Sequence, residues 1–408
     1  MKDYLSDSVK DRFGYTLLVQ SENFENFWGE YTSGKGYNTD WMYNMGDTLT
    51  LFGLWKDVTT NDERVQWLKA AKRYVERFLV YSDATSDGIK ADGSGFHHWS
   101  AYEGYMYSLR NVIYIVSALD DTDFQIDAAS YLRLRNAIYA QRMKSNDVGY
   151  IALSTIGRNP SSRGITTLPE HLKILAISGG KILGLDSADP LLAGYYNRTT
   201  GVDADFNYDE IAKFDNGFFQ FNHGNTGVLR HRSKKGDWLA VIKGFTDNMW
   251  GAELYTTSNR YGRYQSYGAL EIIYPGDNSV GNNGFDVNTW NWNYNPGTTS
   301  IVLPWDKLHG EKSRIDERQQ KRFVGSLAFI NKGKKRGVLE ETHGKYGIFA
   351  MDFQERENGG GFGETYGTNT HNTSFTFKKS NFAFKNMIVS LGSTITNDDI
   401  NHPTVTTL

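Results

Sequence analysis

Three stretches of the 408-residue chain gather side chains that could move protons or hold an anion. The densest is Asp92–Tyr107, DGSGFHHWSAYEGYMY, in which a Gly-rich turn presents His97 and His98 and a helix is expected to begin near Ala101–Glu103. On a helix, His98 and Tyr105 would return to nearly one face, about 10 Å apart along the axis. With His98 in the preceding loop, imidazole and phenol can converge on one substrate. The commoner fate of such residues is structural, the histidines capping or packing on the helix while Tyr105 fills core. Ser154–Gly164, STIGRNPSSRG, is a loop carrying Arg158 and Arg163, either able to fork onto a carboxylate or sulfate. Exposed loop arginines are common, so that signal is weak alone. Asn248–Ser266, NMWGAELYTTSNRYGRYQS, interleaves Trp250, Glu253, Arg260, Tyr261, Arg263 and Tyr264. That mixture suits a groove for an acidic saccharide, and a solvated hairpin would look similar. In SDGIKADG, Asp87 and Asp92 could offer oxygen ligands to Ca2+ or Mg2+. Their spacing fits no complete calcium motif, which favours ordinary turn aspartates.

The elements that must position these groups fall into two halves. Asn61–Tyr81 places Val65, Leu68, Ala71, Val75 and Leu79 at helical spacing, with Asn61 or Asp62 as cap. Similar patterns cover Thr39–Trp55, Glu103–Leu119, Phe124–Met143 and Glu170–Leu183, a helical array such as an α/α toroid. The pattern changes near Thr199–Asp215. From Gly217 onward short alternating runs such as FFQF, TGVLRH, WLAVIKGF and YGIFAMDF alternate with Gly, Asn and Asp turns, the pattern of an antiparallel β-sandwich.

Composition narrows the function classes. A net charge of −3 excludes a globally basic, polyanion-coating protein but leaves room for a local basic cleft. With no cysteine, a thiolate nucleophile, a disulfide framework and a Cys-bound metal are all excluded. Ten Trp and twenty-five Tyr supply flat faces suited to sugar rings. Nothing suggests a nucleic-acid partner. No apolar run reaches the roughly 20 residues of a membrane span, and MKDYLSDSVKDRFG lacks the apolar core of a signal peptide.

Taken together the three stretches resemble polysaccharide lyase family 8, in particular its chondroitin ABC lyase branch. DGSGFHHWSAYEGY matches the form DGT-x-W-x-H-x6-Y, and IGRNP at Ile156–Pro160 matches A-G-R-x-P with Ile for Ala. AELYTTSNRYGRYQS matches S-E-I-Y-x4-R-Y-G-R-Y-Q-S, and WNW at Trp290–Trp292 stands where the family has WDW. The similarity runs from about Gly36 to the C-terminus. The resemblance implies an α+β multidomain fold: an incomplete α/α toroid over residues 1–205, then the N-terminal part of a β-sandwich over 206–408. Family members are longer at both ends, so the chain reads as truncated.

The resemblance also makes His98, Tyr105, Arg158 and Glu253 a catalytic tetrad, with His97, Arg163, Trp250, Arg260, Arg263, Trp290 and Trp292 as groove residues. The implied reaction is β-elimination at a uronic acid of chondroitin sulfate or hyaluronan, giving an unsaturated product. No cofactor is required. The implied enzyme is a monomer working on an acidic polysaccharide outside the cytoplasm, with no membrane partner. Elimination needs a base at C5, an acid at the C4 oxygen and neutralisation of the carboxylate. Tyr105 fills the first two roles if positive charge from Arg158 holds it partly ionised. His98 meets the carboxylate or shares base duty, and Glu253 orients Arg158 or His98. Asn38 or Asn44 could supply the neutralising asparagine of hyaluronate lyases. No histidine precedes His97, which removes the upstream histidine of the broad-specificity branch and argues against dermatan cleavage. Two rival readings are an α/α-toroid glycoside hydrolase, using a pair from Asp87, Asp92 and Glu103, and a non-catalytic glycan-binding protein.

Overall fold

A computed structural model describes residues 4–22, 39–55, 60–201, 216–233, 236–254, 259–277, 279, 282–308, 319–329, 343–355 and 375–408. The helices are α1 (Asp7–Glu22), α2 (Thr39–Trp55), α3 (Asn61–Phe78), α4 (Leu109–Leu119), α5 (Ala128–Met143), α6 (Leu153–Ile156), α7 (Pro169–Ile182), α8 (Pro190–Thr200) and α9 (Trp305–Leu308). Two short strands, β1 (Gly88–Ile89) and β2 (Gly95–Phe96), interrupt the helical half. The remaining strands are β3 (Gly217–Phe221), β4 (Thr226–His231), β5 (Trp238–Lys243), β6 (Ala269–Ile273), β7 (Thr299–Ile301) and β8 (Val324–Phe329). After them come β9 (His343–Gly344), β10 (Tyr346–Gln354), β11 (Thr376–Phe384), β12 (Met387–Thr396) and β13 (Thr404–Thr406). No helix among the described residues is long and apolar enough to cross a membrane.

The chain forms two compact units that interleave in sequence. The first comprises Met1–Ile89, Met106–Arg135 and Thr166–Ala212; the second comprises Lys90–Tyr105, Asn136–Ile165 and Lys213–Leu408. In the first unit α3 buries Trp67, Leu68, Ala71, Tyr74, Val75 and Phe78 along one stripe, as its spacing predicts. Its cap is Thr60, ahead of the expected Asn61 or Asp62. The extended backbone of Thr60 lets its hydroxyl accept from Glu63 N–H at 3.3 Å. Helix α8 begins where Pro190 follows Asp189, whose carboxylate accepts from Leu191 N–H at 2.9 Å and pairs with Arg135 at 2.9 Å. Neither α1 nor α8 was expected from periodicity.

The second unit holds the sandwich. Antiparallel strands in the order β6-β5-β4-β3-β9 form one sheet, β12-β11-β10-β8 a second, and β7 pairs with β13. Side chains of β10 alternate between buried and half-buried along all nine residues, so Phe349, Met351 and Phe353 join Phe218, Leu229, Ala240 and Ile242 in one core. Strands β3 and β4 are buried almost continuously, because their other face packs on the helical pieces of the same unit. Phe219 meets Tyr139 of α5 at 6.4 Å, and Arg230 donates to the carbonyls of Arg142 and Met143, each at 3.0 Å, closing the C-terminus of that helix.

The expected helix from Glu103 is instead a 3-10 turn over Glu103–Met106, and the α-helix begins at Leu109. Gly104 lets the carbonyl of Ile156 close on this turn, since a Cβ there would lie 1.9 Å from its oxygen. Two buried lysines brace this region. Lys144 pairs with Glu103 at 2.6 Å and donates to Ser94 at 2.8 Å, while Lys243 on β5 donates to the carbonyls of Ala101 at 2.9 Å and Gly224 at 2.6 Å.

Burial, reinforced by the charge of Lys144, brings Lys243 from its usual 10.5 down to about 7. An unfolded chain keeps that proton up to the ordinary lysine range, whereas the native state releases it above about 7. The unfolded state therefore holds more protons between these values, and stability rises with pH there by up to ~1.4 kcal/mol per unit. Lys243→Met removes this dependence, so denaturant unfolding between neutral and alkaline pH should show a slope lower by about one proton than in the parent. Equal slopes in the two proteins would show that Lys243 remains charged.

Candidate active site

All four residues singled out for chemistry lie in the second unit. His98 sits at the tip of a two-residue turn closed by His97 N–H to Ser100 O at 2.9 Å and Ser100 N–H to His97 O at 3.0 Å. Both central residues, His98 (φ 50°) and Trp99 (φ 62°), occupy the left-handed region, as in a type I′ turn. Such turns favour Asn and Gly, and a residue with a Cβ pays roughly 1–2 kcal/mol in that conformation. His97 is fully buried beneath, its ring stacked on His98 with centroids 3.6 Å apart.

Tyr105 lies in the 3-10 turn, 3% exposed, with its ring edge-on to Tyr102. Tyr102 is fixed by donating to Gly251 O at 2.8 Å. Arg158 comes from the loop after α6. That loop is clamped at both ends by Glu271 on β6, which accepts from Leu153 N–H at 2.8 Å and pairs with the Arg163 guanidinium. Gly157, at φ +86°, passes over the phenol, and a Cβ there would sit 3.3 Å from the Tyr105 ring. Glu253 follows β5. Asn259 donates to its backbone carbonyl at 2.8 Å and to Gly157 O at 3.5 Å, tying the two loops together.

These loops converge on one carboxylate. Glu253 Oε1 accepts from His98 Nδ1 at 2.7 Å and from Arg158 Nη1 at 3.3 Å, and Oε2 accepts from the Tyr105 hydroxyl. The Glu253 side chain is 2% exposed, against 36% for His98 and 21% for Arg158. Burial alone would raise the Glu253 carboxyl, but the hydrogen bonds from His98 and Tyr105 and the nearby positive charges outweigh it and lower it below the ordinary value. An ionised acceptor fixes its donors: His98 carries a proton on Nδ1, which aims Nε2 away from Glu253. The expectation that Arg158 would hold Tyr105 partly ionised does not survive. Burial first, and then the Glu253 carboxylate, raise the phenol well above its usual value, and Arg158 opposes them only weakly. At rest Tyr105 is a neutral donor.

The expected groove residues separate. Trp250 is 7% exposed and stacks on Trp99, with ring centroids 6.3 Å apart, and Arg260 is exposed over Tyr261. Arg163 and Arg263 are buried, facing Glu271 and Glu355, so neither guanidinium lies open to a substrate. His97 is likewise sealed, and Trp292 belongs to the sandwich core with Trp290 packed against it. Asp92 is occupied by backbone, accepting from Ser94 N–H at 3.0 Å and His223 N–H at 2.8 Å, while Asp87 lies in the other unit. Asn44 is on α2 in the first unit, and Asn38 lies outside the described residues. Trp99, Tyr102 and Asn259 were not foreseen. Each sits inside a stretch already singled out, but its partner lies 102 or more residues away or, for Asn259, partly so.

Residues 39–204 match the family model described as "Lyase, catalytic", and residues 217–408 match "Polysaccharide lyase family 8, super-sandwich domain". The chain belongs to polysaccharide lyase family 8. It is 26% identical over 425 residues to a chondroitin sulfate ABC endolyase of Proteus vulgaris, covering 99% of this chain and 37% of that protein. It is 28% identical over 380 residues to a chondroitin sulfate ABC exolyase of Bacteroides thetaiotaomicron, covering 85% and 35%. The chain thus spans little more than a third of the length of these relatives. Among solved structures, a Paenibacillus xanthan lyase superposes with a TM-score of 0.60 at 18% identity, covering 90% of this chain and 32% of that one. A Streptomyces coelicolor A3 chondroitin AC lyase in complex with chondroitin sulphate also gives 0.60, at 17% identity, covering 91% and 49%. That likeness carries the fold: toroid helices followed by an antiparallel sandwich.

Glu253→Gln removes the negative charge that helps raise Tyr105 while leaving its burial. The phenol should then ionise at lower pH than in the parent. The chemical shift of the tyrosine ζ-carbon, assigned by comparison with Tyr105→Phe, reports this directly. An unchanged midpoint would mean that burial alone governs the phenol.

Proposed function

We propose that this chain carries the catalytic centre of a glycosaminoglycan lyase that cleaves chondroitin sulfate, and hyaluronan by the same route, at C4 of the uronic acid. The observation that carries the reading is the convergence of an imidazole, a phenol and a guanidinium on the single buried carboxylate of Glu253. In the reaction the C5 proton is removed, the bond from C4 to the glycosidic oxygen breaks, a C4=C5 double bond forms, and the departing oxygen gains a proton. Tyr105 is the proton carrier, base toward C5 and then acid toward the leaving oxygen. Its resting form suits the acid step. The base step requires the phenolate, and Arg158 is the neighbour that favours it. His98, oriented through Nδ1, turns Nε2 to the uronate carboxylate or assists at C5.

A glycoside hydrolase would need two available carboxyl groups. Glu103 is buried against Lys144, and both oxygens of Asp92 accept backbone N–H groups, which removes two of the three acids considered. A module that only binds glycans has no use for a phenol bonded to a buried carboxylate. The reading therefore remains with elimination on an acidic polysaccharide.

Incubation with chondroitin sulfate should give a product with the ultraviolet absorbance of a conjugated uronate. Tyr105→Phe should lower kcat by roughly 10²–10⁴-fold in a chain that still folds, its thermal midpoint lowered by the donor that Glu253 loses. Because the phenol of the unliganded site is raised, kcat/KM should climb with pH across the neutral and alkaline range as the phenolate forms. Full turnover by Tyr105→Phe, or hydrolysis without the new double bond, would exclude this mechanism.

A further inference from the structure

We propose that Trp99 is a sugar-stacking platform next to the reacting uronate, and that the strained turn exists to present it. The inference rests on the lyase reading and deepens it by naming a binding residue beside the chemistry.

The turn over His97–Ser100 needs two left-handed residues, a place where glycine or asparagine fits without strain. His98 is accounted for by its bond to Glu253. The second position is taken by Trp99, at φ 62°. Trp99 is 46% exposed, although a large apolar ring that served only to fill space would be buried. Its position is nonetheless fixed. The carbonyl of Trp99 accepts from Trp250 N–H at 2.8 Å, and its ring lies nearly parallel to the indole of Trp250, 14° between planes. Trp250 is itself 7% exposed, so it forms the buried floor on which the exposed ring rests.

A bulky residue held in an unfavourable conformation, backed by a second ring and left open beside a candidate catalytic histidine, is arranged for contact with something outside the protein. The chemistry of the face selects the ligand. An indole face carries no formal charge and takes the C–H face of a pyranose ring, while the charged partners lie at His98 and Arg158. The ring on Trp99 is therefore the sugar adjoining the uronate, held by shape and dispersion rather than by its acid group.

The test uses Trp99→Gly and Trp99→Phe in the full chain with chondroitin sulfate as substrate. Glycine relieves the backbone, so Trp99→Gly should keep or raise the thermal midpoint while raising KM about ten-fold and leaving kcat within about two-fold. Trp99→Phe, which keeps an aromatic face, should recover most of the loss in KM. A lowered midpoint in Trp99→Gly would make Trp99 a packing residue and overturn the proposal, as would an unchanged KM. Binding of a chondroitin hexasaccharide, followed calorimetrically, separates this from the lyase reading. If the parent binds the hexasaccharide without forming unsaturated product, the elimination mechanism fails, and weaker binding by Trp99→Gly still supports the platform. Equal binding by parent and Trp99→Gly, or no binding by either, overturns it.

Discussion

A carboxylate buried to 2% exposure governs the centre of this protein. Removing an ionised group from water costs several kcal/mol unless donors replace the hydration shell. Glu253 can meet that cost only by collecting the Nδ1–H of His98, the hydroxyl of Tyr105 and the guanidinium of Arg158. The requirement runs in both directions. An ionised acceptor has no proton to give, so every neighbour must present one. It therefore selects the tautomer of His98 and keeps the phenol protonated at rest, before any substrate arrives. The same charge that assembles the site raises the phenol, so assembly and base strength pull against each other, with Arg158 the counterweight.

Three loops can approach one side chain this closely only if backbone replaces side chain at the crossing points. Gly104 faces the carbonyl of Ile156, and Gly157 crosses the Tyr105 ring. Amides and lysines then hold the loops without adding bulk. Asn259 joins the Glu253 and Gly157 carbonyls, and Lys243 reaches from β5 to the carbonyl of Ala101. Glu271 on β6 grips the Arg158 loop at both ends. Asn259 and Lys243 are buried and Glu271 half-buried, and each meets a partner distant in sequence.

That distance separates what could be read in the sequence from what could not. Strand β4 falls on the run TGVLRH, and α2 on Thr39–Trp55, because both patterns are set by the period of one element and its turn residues. The four convergent residues were found through motif order, not through any local rule. In the sequence Arg163 and Arg263 read as groove residues, because a guanidinium in such a loop looks the same whether its carboxylate belongs to a ligand or to Glu271 and Glu355. Trp292 was misplaced for a similar reason, since an indole suited to a sugar equally suits the sandwich core. The helix expected from Glu103 is a 3-10 turn, and the carbonyl that crowds it belongs to Ile156 of α6, a partner no local pattern points to.

The grouping of the chain follows from the same supports. His98, Tyr105 and Arg158 come from the helical half of the sequence, yet their segments belong to the compact unit of the sandwich. The reason is visible in the contacts: Lys243 ends β5, Glu271 lies on β6 and Glu253 lies in the connection between these strands, and each reaches into those segments. The sheet thus acts as a frame for loops that carry the polar groups: the β5–β6 pairing sets Lys243 opposite Ala269, two residues from Glu271, which holds the Arg158 loop. Because Ala240 and Ile242 of β5 are packed in the sandwich core, a cavity opened there would loosen Lys243 on the same strand, and with it the Ala101 carbonyl that Lys243 holds, without altering any group proposed to meet substrate. Along β5 itself, core and support alternate: Ala240 and Ile242 fill the sandwich, while Lys243 reaches the loop that leads to Tyr105.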